Sequence, residues 1–153
     1  MTSLCSDVLK ALEGRTLVTA ESLTGGGIGT ALTTVPGASR VYKGGVISYC
    51  DGIKHAVLGV GREILEKYGA VSTQTACAMA SGVRTLMDAD AAVSVTGLAG
   101  PGGDEFGHEV GTVFIGYSSV CSTFAREYHF TGDREAVRQQ TIQAALELIL
   151  ENV

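Results

Sequence analysis

Short β-prone runs, each handed over to a glycine-rich turn or a helix, set the tightest limit on how this chain folds. "TLVTA" (Thr16 to Ala20) runs into "ESLTGGG" and then into the helical pattern of "IGTALTTV". "GGVISYC" (Gly44 to Cys50) runs through Asp51-Gly52 into a helix that ends near Val57 or Leu58. "REILEKYG" is a short helix stopped by Gly69, and Ser72 is the N-cap for "TQTACAMASGVRTLMD", whose Ala76, Met79, Ala80, Val83 and Leu86 share a core-facing stripe. "DAAVSVTG" (Asp90 to Gly97) reads as a buried strand and empties into the glycine-rich loop Leu98 to Val110. "GTVFIGYSS" and "STFAREYHF" form an antiparallel hairpin. One helix precedes this series, from Ser3 to Glu13, and another closes it, from about Asp133 to Asn152. Such alternation predicts a three-layer α/β/α sandwich: a mixed, mainly parallel sheet of about five strands that includes an antiparallel hairpin.

The chain has 153 residues, 45% of them hydrophobic, enough for one domain over residues 1–153. With a net charge of −5 and no dense basic patch, a nucleic-acid partner is not expected. No apolar run reaches the length of a membrane span, and the N-terminus has no signal-peptide pattern. Cys5, Cys50, Cys77 and Cys121 form no CxxC and are expected to be free, mostly buried thiols of a reducing, cytoplasmic setting. His55, His108 and His129 have no metal-ligand spacing, so no metal site is expected.

Thr24-Gly25-Gly26-Gly27 lies where a strand passes into a helix. The first N–H groups of a helix lack partners, and glycines let an anion approach them. Arg134 and Arg138 stand four apart at the start of the last helix, where an Arg pair makes most sense around a shared anion. Tyr49 and Lys54 follow the second strand and Ser39 precedes it. Tyr49 with Lys54 is not the Y-x-x-x-K of short-chain dehydrogenases, because the spacing is five.

Taken in order, "AESLTGG", "GGVISYCDGIKHAVLGV", "GAVSTQTACAMASGVR", "ADAAVSVTGLAGPGG", "VGTVFIGY" and "FTGDREAVR" resemble the CinA C-terminal domain family of nicotinamide-nucleotide amidases. The likeness runs from about Leu4 to Leu150, in the stand-alone form without the molybdopterin-cofactor-biosynthesis-like domain that often precedes it. It implies a homodimer or larger assembly. It also implies hydrolysis of the carboxamide of nicotinamide mononucleotide to nicotinate mononucleotide and ammonia, with no metal or cofactor. By motif, the serine nucleophile falls on Ser39, with Tyr49 and Lys54 as its partners, and Ser22 is the competing serine. Substrate contacts fall on Glu21, Ser22, Thr24, Gly25 and Gly26 of the first turn, on Thr96, Gly97 and Gly100 of the third, and on Arg134 and Arg138. Asp51 stands where many relatives carry Asn, Leu23 where they carry Cys, and His108-Glu109 where they carry Lys-Pro. An acid at Asp51 is expected to keep Lys54 protonated, so that the free amine appears only at alkaline pH. A silent member that binds a nucleotide or a protein stays open as the alternative.

Overall fold

The computed structural model describes all residues from Met1 to Val153. The helices are α1 (Thr2–Ala11), α2 (Gly27–Thr33), α3 (Asp51–Ala56), α4 (Arg62–Tyr68), α5 (Thr73–Leu86) and α6 (Arg134–Glu151). The strands are β1 (Leu17–Glu21), β2 (Tyr42–Ile47), β3 (Ala91–Gly97), β4 (Thr112–Ser119) and β5 (Thr123–His129). They form one sheet in the order β2-β1-β3-β4-β5. β1 pairs parallel with both β2 and β3, and β4 and β5 continue the sheet antiparallel.

Period-two alternation sorts the side chains onto two faces. Leu17, Val93, Val95, Val113 and Ile115 face α1, α2 and α6, packing on Val8, Leu12, Ile28, Leu32, Ile142 and Leu146. Val18, Ala20 and Ala92 face the other way, onto Met79 and Val83 of α5 and onto Leu58 and Val60. Ser94 Oγ donates to the Ala76 carbonyl at 2.6 Å and Thr96 Oγ1 to the Ala70 carbonyl at 2.8 Å, so polar residues of β3 stay paired inside this layer.

From β1 the chain crosses over one face through α2 to reach β2 on one flank, then crosses the opposite face through α3, α4 and α5 to β3 on the other flank. The connections therefore part company at the carboxyl end of β1. In open α/β sheets a crevice forms at that point. Ser22, Ser48 and Leu98, each just past the end of its strand, are brought to one end of the sheet.

The expected elements are all present, with instructive shifts. β2 ends at Ile47 rather than Cys50, because β1 turns away after Glu21; the last strand contact there is the Ser48 N–H to the Glu21 carbonyl at 2.8 Å. Ser72 caps α5 as expected, its Oγ accepting from the Thr75 N–H at 3.1 Å. Leu86, expected in the core, is exposed, since the helix stops there and the sheet no longer covers it. All four cysteines are free, but only Cys5 is fully buried, and Cys50 and Cys121 are exposed.

α5 presses closely on β4. A methyl group at Gly116 would lie 2.5 Å from the Ala76 carbonyl oxygen and from Ser94 Oγ. Both are buried and already bonded to each other, so neither can yield cheaply. Gly116→Ala is expected to destabilise the fold by about 1–3 kcal/mol, as overpacked cores do. The check is a lower urea midpoint at an unchanged slope; an unaltered midpoint would show that α5 moves freely.

Candidate active site

Glycines after β1 were expected to open a helix N-terminus to a ligand anion. The anion there is the protein's own. Gly25 (φ +59°) and Gly26 (φ +102°) take left-handed conformations, which lets the chain reverse tightly enough to start α2 above the end of β1. Glu21, buried at that strand end, accepts from the Ile28 N–H at 2.8 Å and the Gly29 N–H at 3.1 Å. The Thr24 hydroxyl donates to the same carboxylate at 2.6 Å, and Thr19 completes the set at 3.4 Å. The side chains of Glu21 and Thr24 thus build the turn, and the expectation that they touch substrate is revised for those side chains.

Ser22, the next residue, points to the opposite face. There it meets Lys54 of α3. The Lys54 side chain is 1% exposed. Its Nζ lies 3.0 Å from Ser22 Oγ and donates to the Ser48 carbonyl at 2.7 Å. No carboxylate forms a salt bridge with it. Burial therefore pulls the Lys54 amine below the ordinary lysine value, while the charges of Asp51 and Cys50 pull the other way and less strongly. The expected dominance of Asp51 is corrected. Asp51 is exposed to solvent, where its field is screened, whereas the amine is dehydrated.

Ser22 and Lys54 line a cleft of about 230 Å³ with Tyr49, Asp51, Val71, Thr96, Gly97, Leu98 and Arg134. The backbone N–H groups of Leu23 and Thr24, directly after Ser22, donate to no protein acceptor. Tyr49 is 60% exposed and stands at the mouth, its hydroxyl accepting from Arg134 Nη2 at 2.8 Å. Arg134 Nη1 donates to the Gly100 carbonyl at 2.7 Å, tying the third loop to the start of α6. Thr96 and Gly97 form the wall, while Gly25 and Gly26 lie outside the cleft.

Two sequence expectations do not meet here. Ser39 lies in the short 3-10 turn Ala38–Arg40, exposed and ahead of β2, whereas Tyr49 and Lys54 follow that strand. The strand puts roughly 20 Å between them, so within one chain Ser39 does not join Tyr49 and Lys54. Arg138 does not share an anion with Arg134 either. It donates to the Leu23 carbonyl at 3.0 Å, to the Thr24 carbonyl at 3.2 Å and to Glu135 at 2.8 Å. Its role is to strap α6 to the turn behind Ser22. The wall contributed by Ala70 and Val71, between α4 and α5, was missed as part of the site, although both residues stand at the start of the segment "GAVSTQTACAMASGVR".

The sequence profile of the CinA C-terminal domain matches residues 1–153. The chain belongs to the CinA C-terminal domain family. It is 44% identical over 149 residues to a CinA-like protein of Parasynechococcus marenigrum, covering 95% of this chain and 36% of that one. The chain thus spans about a third of the length of the curated relatives it matches. Among solved structures, it superposes on the competence damage-inducible protein A of Klebsiella pneumoniae with a TM-score of 0.96 at 36% identity, over 99% of this chain and 95% of that one. A CinA superfamily protein of Escherichia coli gives a TM-score of 0.97 at 33% identity, over 99% and 90%. The names of the two solved structures speak of competence and damage, and none of the three names states a reaction. The match does confirm the mixed five-stranded α/β fold, and no helix of the chain is long and apolar enough to cross a membrane.

The buried amine has a thermodynamic signature. Because its pKa in the fold is below the unfolded value of 10.5, the unfolded chain binds more protons between the two values. Stability contributed by this group therefore rises with pH across that window, and the full cost of burying charge is felt below it. Subtracting the unfolding free energy of Lys54→Met from that of wild type at each pH is expected to give a difference that climbs toward pH 10.5. Asp51→Asn is expected to move the start of the climb to lower pH. A flat difference would mean that the lysine stays charged in the fold.

Proposed function

We propose that the chain hydrolyses a carboxamide through a Ser22–Lys54 pair, and that its substrate is nicotinamide mononucleotide, converted to nicotinate mononucleotide and ammonia. The observation that carries this is the buried, dehydrated Lys54 amine with no carboxylate partner, 3.0 Å from Ser22 Oγ. A lysine so placed is poised to be a neutral base for a serine hydroxyl.

The chemistry runs in two halves. Lys54 takes the Ser22 proton as Oγ attacks the carboxamide carbon. The oxygen of the tetrahedral intermediate receives the free N–H groups of Leu23 and Thr24, donors already fixed by the turn that Glu21 holds. The Lys54 ammonium then gives its proton to the departing nitrogen, and ammonia leaves an acyl-serine. Water enters, loses a proton to Lys54 and attacks the acyl carbon; the bond to Ser22 Oγ breaks as Lys54 returns the proton to that oxygen, and the acid leaves as its carboxylate with its proton passing to solvent. These steps call on no metal or organic cofactor.

The shape of the cleft supports the substrate class. A space of about 230 Å³ is smaller than the usual site for a drug-sized ligand, roughly 300–1,000 Å³, and suits one planar ring. The rest of a mononucleotide would extend past Tyr49 to Arg134, the exposed cation at the mouth. The family resemblance supplies the ring, and a homo-oligomer is the assembly that accompanies it.

Ammonia release from nicotinamide mononucleotide by the purified chain is the test. Ser22→Ala and Lys54→Met are expected to lose roughly a thousandfold or more in kcat/KM, and Ser39→Ala to stay close to wild type. The reverse order would return the nucleophile to Ser39. Arg134→Ala is expected to weaken mononucleotide binding by about ten- to a hundredfold, as loss of a charge-assisted bond does. Nicotinamide riboside, which lacks the phosphate, should bind this variant as it binds wild type; equal losses for both ligands would take the phosphate away from Arg134.

A further inference from the structure

Ser48 is the one residue of the chain with a buried side-chain polar atom that has no hydrogen-bond partner. Its hydroxyl is fully buried, yet bonds to nothing. Leaving such a group unmet is costly, and a hydrophobic replacement of the same shape is normally neutral or better. The carbonyl of the same residue holds Lys54 Nζ at 2.7 Å. The amine, in turn, has three positions for partners besides its own carbon and fills two of them, with Ser22 Oγ and the Ser48 carbonyl. An unfilled donor position and an unfilled acceptor thus belong to two residues already joined by a short bond.

We propose that the Ser48 hydroxyl is a positioning residue for Lys54, accepting its third N–H when the amine takes the proton of Ser22. This rests on the Ser22–Lys54 reading above and adds the group that stabilises the ammonium. In the step the proton moves from Ser22 Oγ to Nζ as that oxygen bonds to the carboxamide carbon, and a rotation about the Ser48 Cα–Cβ bond turns the Ser48 Oγ toward the new charge. A hydrogen bond to an ammonium is roughly twice as strong as one between neutral groups. The contact therefore favours the charged form made during reaction over the resting amine, which is where an interaction raises kcat rather than lowering KM.

Lys54 shares its cleft with the Arg134 guanidinium and the Tyr49 hydroxyl, which are bonded to each other at the mouth. Ser22 comes from the end of β1, Ser48 from the end of β2, and Cys50 and Asp51 from the start of its own helix. Removing the Ser48 acceptor leaves all the others in place.

The test compares Ser48→Ala and Ser48→Thr in the full chain. Ser48→Ala is expected to reduce kcat about tenfold with KM little changed, and to move the rising limb of the pH–rate profile down by about one unit, since the ammonium has lost an acceptor. Its thermal midpoint is expected to hold or rise, because an unmet hydroxyl has been deleted. Ser48→Thr keeps the hydroxyl and should restore both kcat and the limb. The proposal is overturned if Ser48→Ala leaves the limb in place, or if Ser48→Thr is as slow as Ser48→Ala, which would reduce the position to packing. Lys54→Met separates the two levels: full activity in that variant would sink the Ser22–Lys54 reading itself, whatever Ser48 does.

Discussion

A lysine amine sealed inside a protein without a counter-charge is the demand around which the rest of this molecule is arranged. Lys54 can be buried because two strands end together beneath it, one supplying a hydroxyl and the other a carbonyl. Those ends coincide because β1 and β2 are parallel and in register from Val18↔Gly44 to Glu21↔Ile47. The register in turn depends on β1 stopping at Glu21. Each of these links is a backbone property, so the placement of one amine is fixed by the sheet as a whole.

Glu21 and Ser22 show how two adjacent residues divide labour across a sheet. Alternation sends them to opposite faces. Glu21 neutralises the positive end of α2 and holds the turn. Ser22 faces the cleft, with the free N–H groups of that same turn behind it. Arg138 then pins the turn from the outside through the Leu23 and Thr24 carbonyls. A donor pair that must meet a transient oxyanion gains from being held on both sides before the reaction starts.

The architecture was legible in the sequence because its signals are local. The Ser72 cap, the glycine stop at Gly69 and the short, continuously buried β-prone runs of β3 and β4 each act within a few residues. The site was legible only as a set of strand-end residues, since their mutual distances depend on which end of the sheet each loop occupies. Tyr49, Lys54, Ser22, Thr96 and Arg134 fall at one end and Ser39 at the other, and nothing in the spacing of Ser39 says so. The helix N-terminus of α2 misled for a related reason. Its anion comes from Glu21, seven residues before Ile28, and the two meet only after the chain has reversed. Arg138 misled because carbonyl oxygens, which every sequence has, are invisible as partners until the fold brings them near.

Arg134 is not an idle cation waiting at the mouth of the cleft. It is already spent on the Tyr49 hydroxyl and the Gly100 carbonyl. Those two bonds occupy two of its five N–H groups and fix the plane of the guanidinium, so three donors stay open on an exposed side chain. The same two bonds join the residue after β2 to the glycine-rich loop after β3 through the start of α6. A shift of this one side chain is therefore passed to two separate segments of the cleft rim at once.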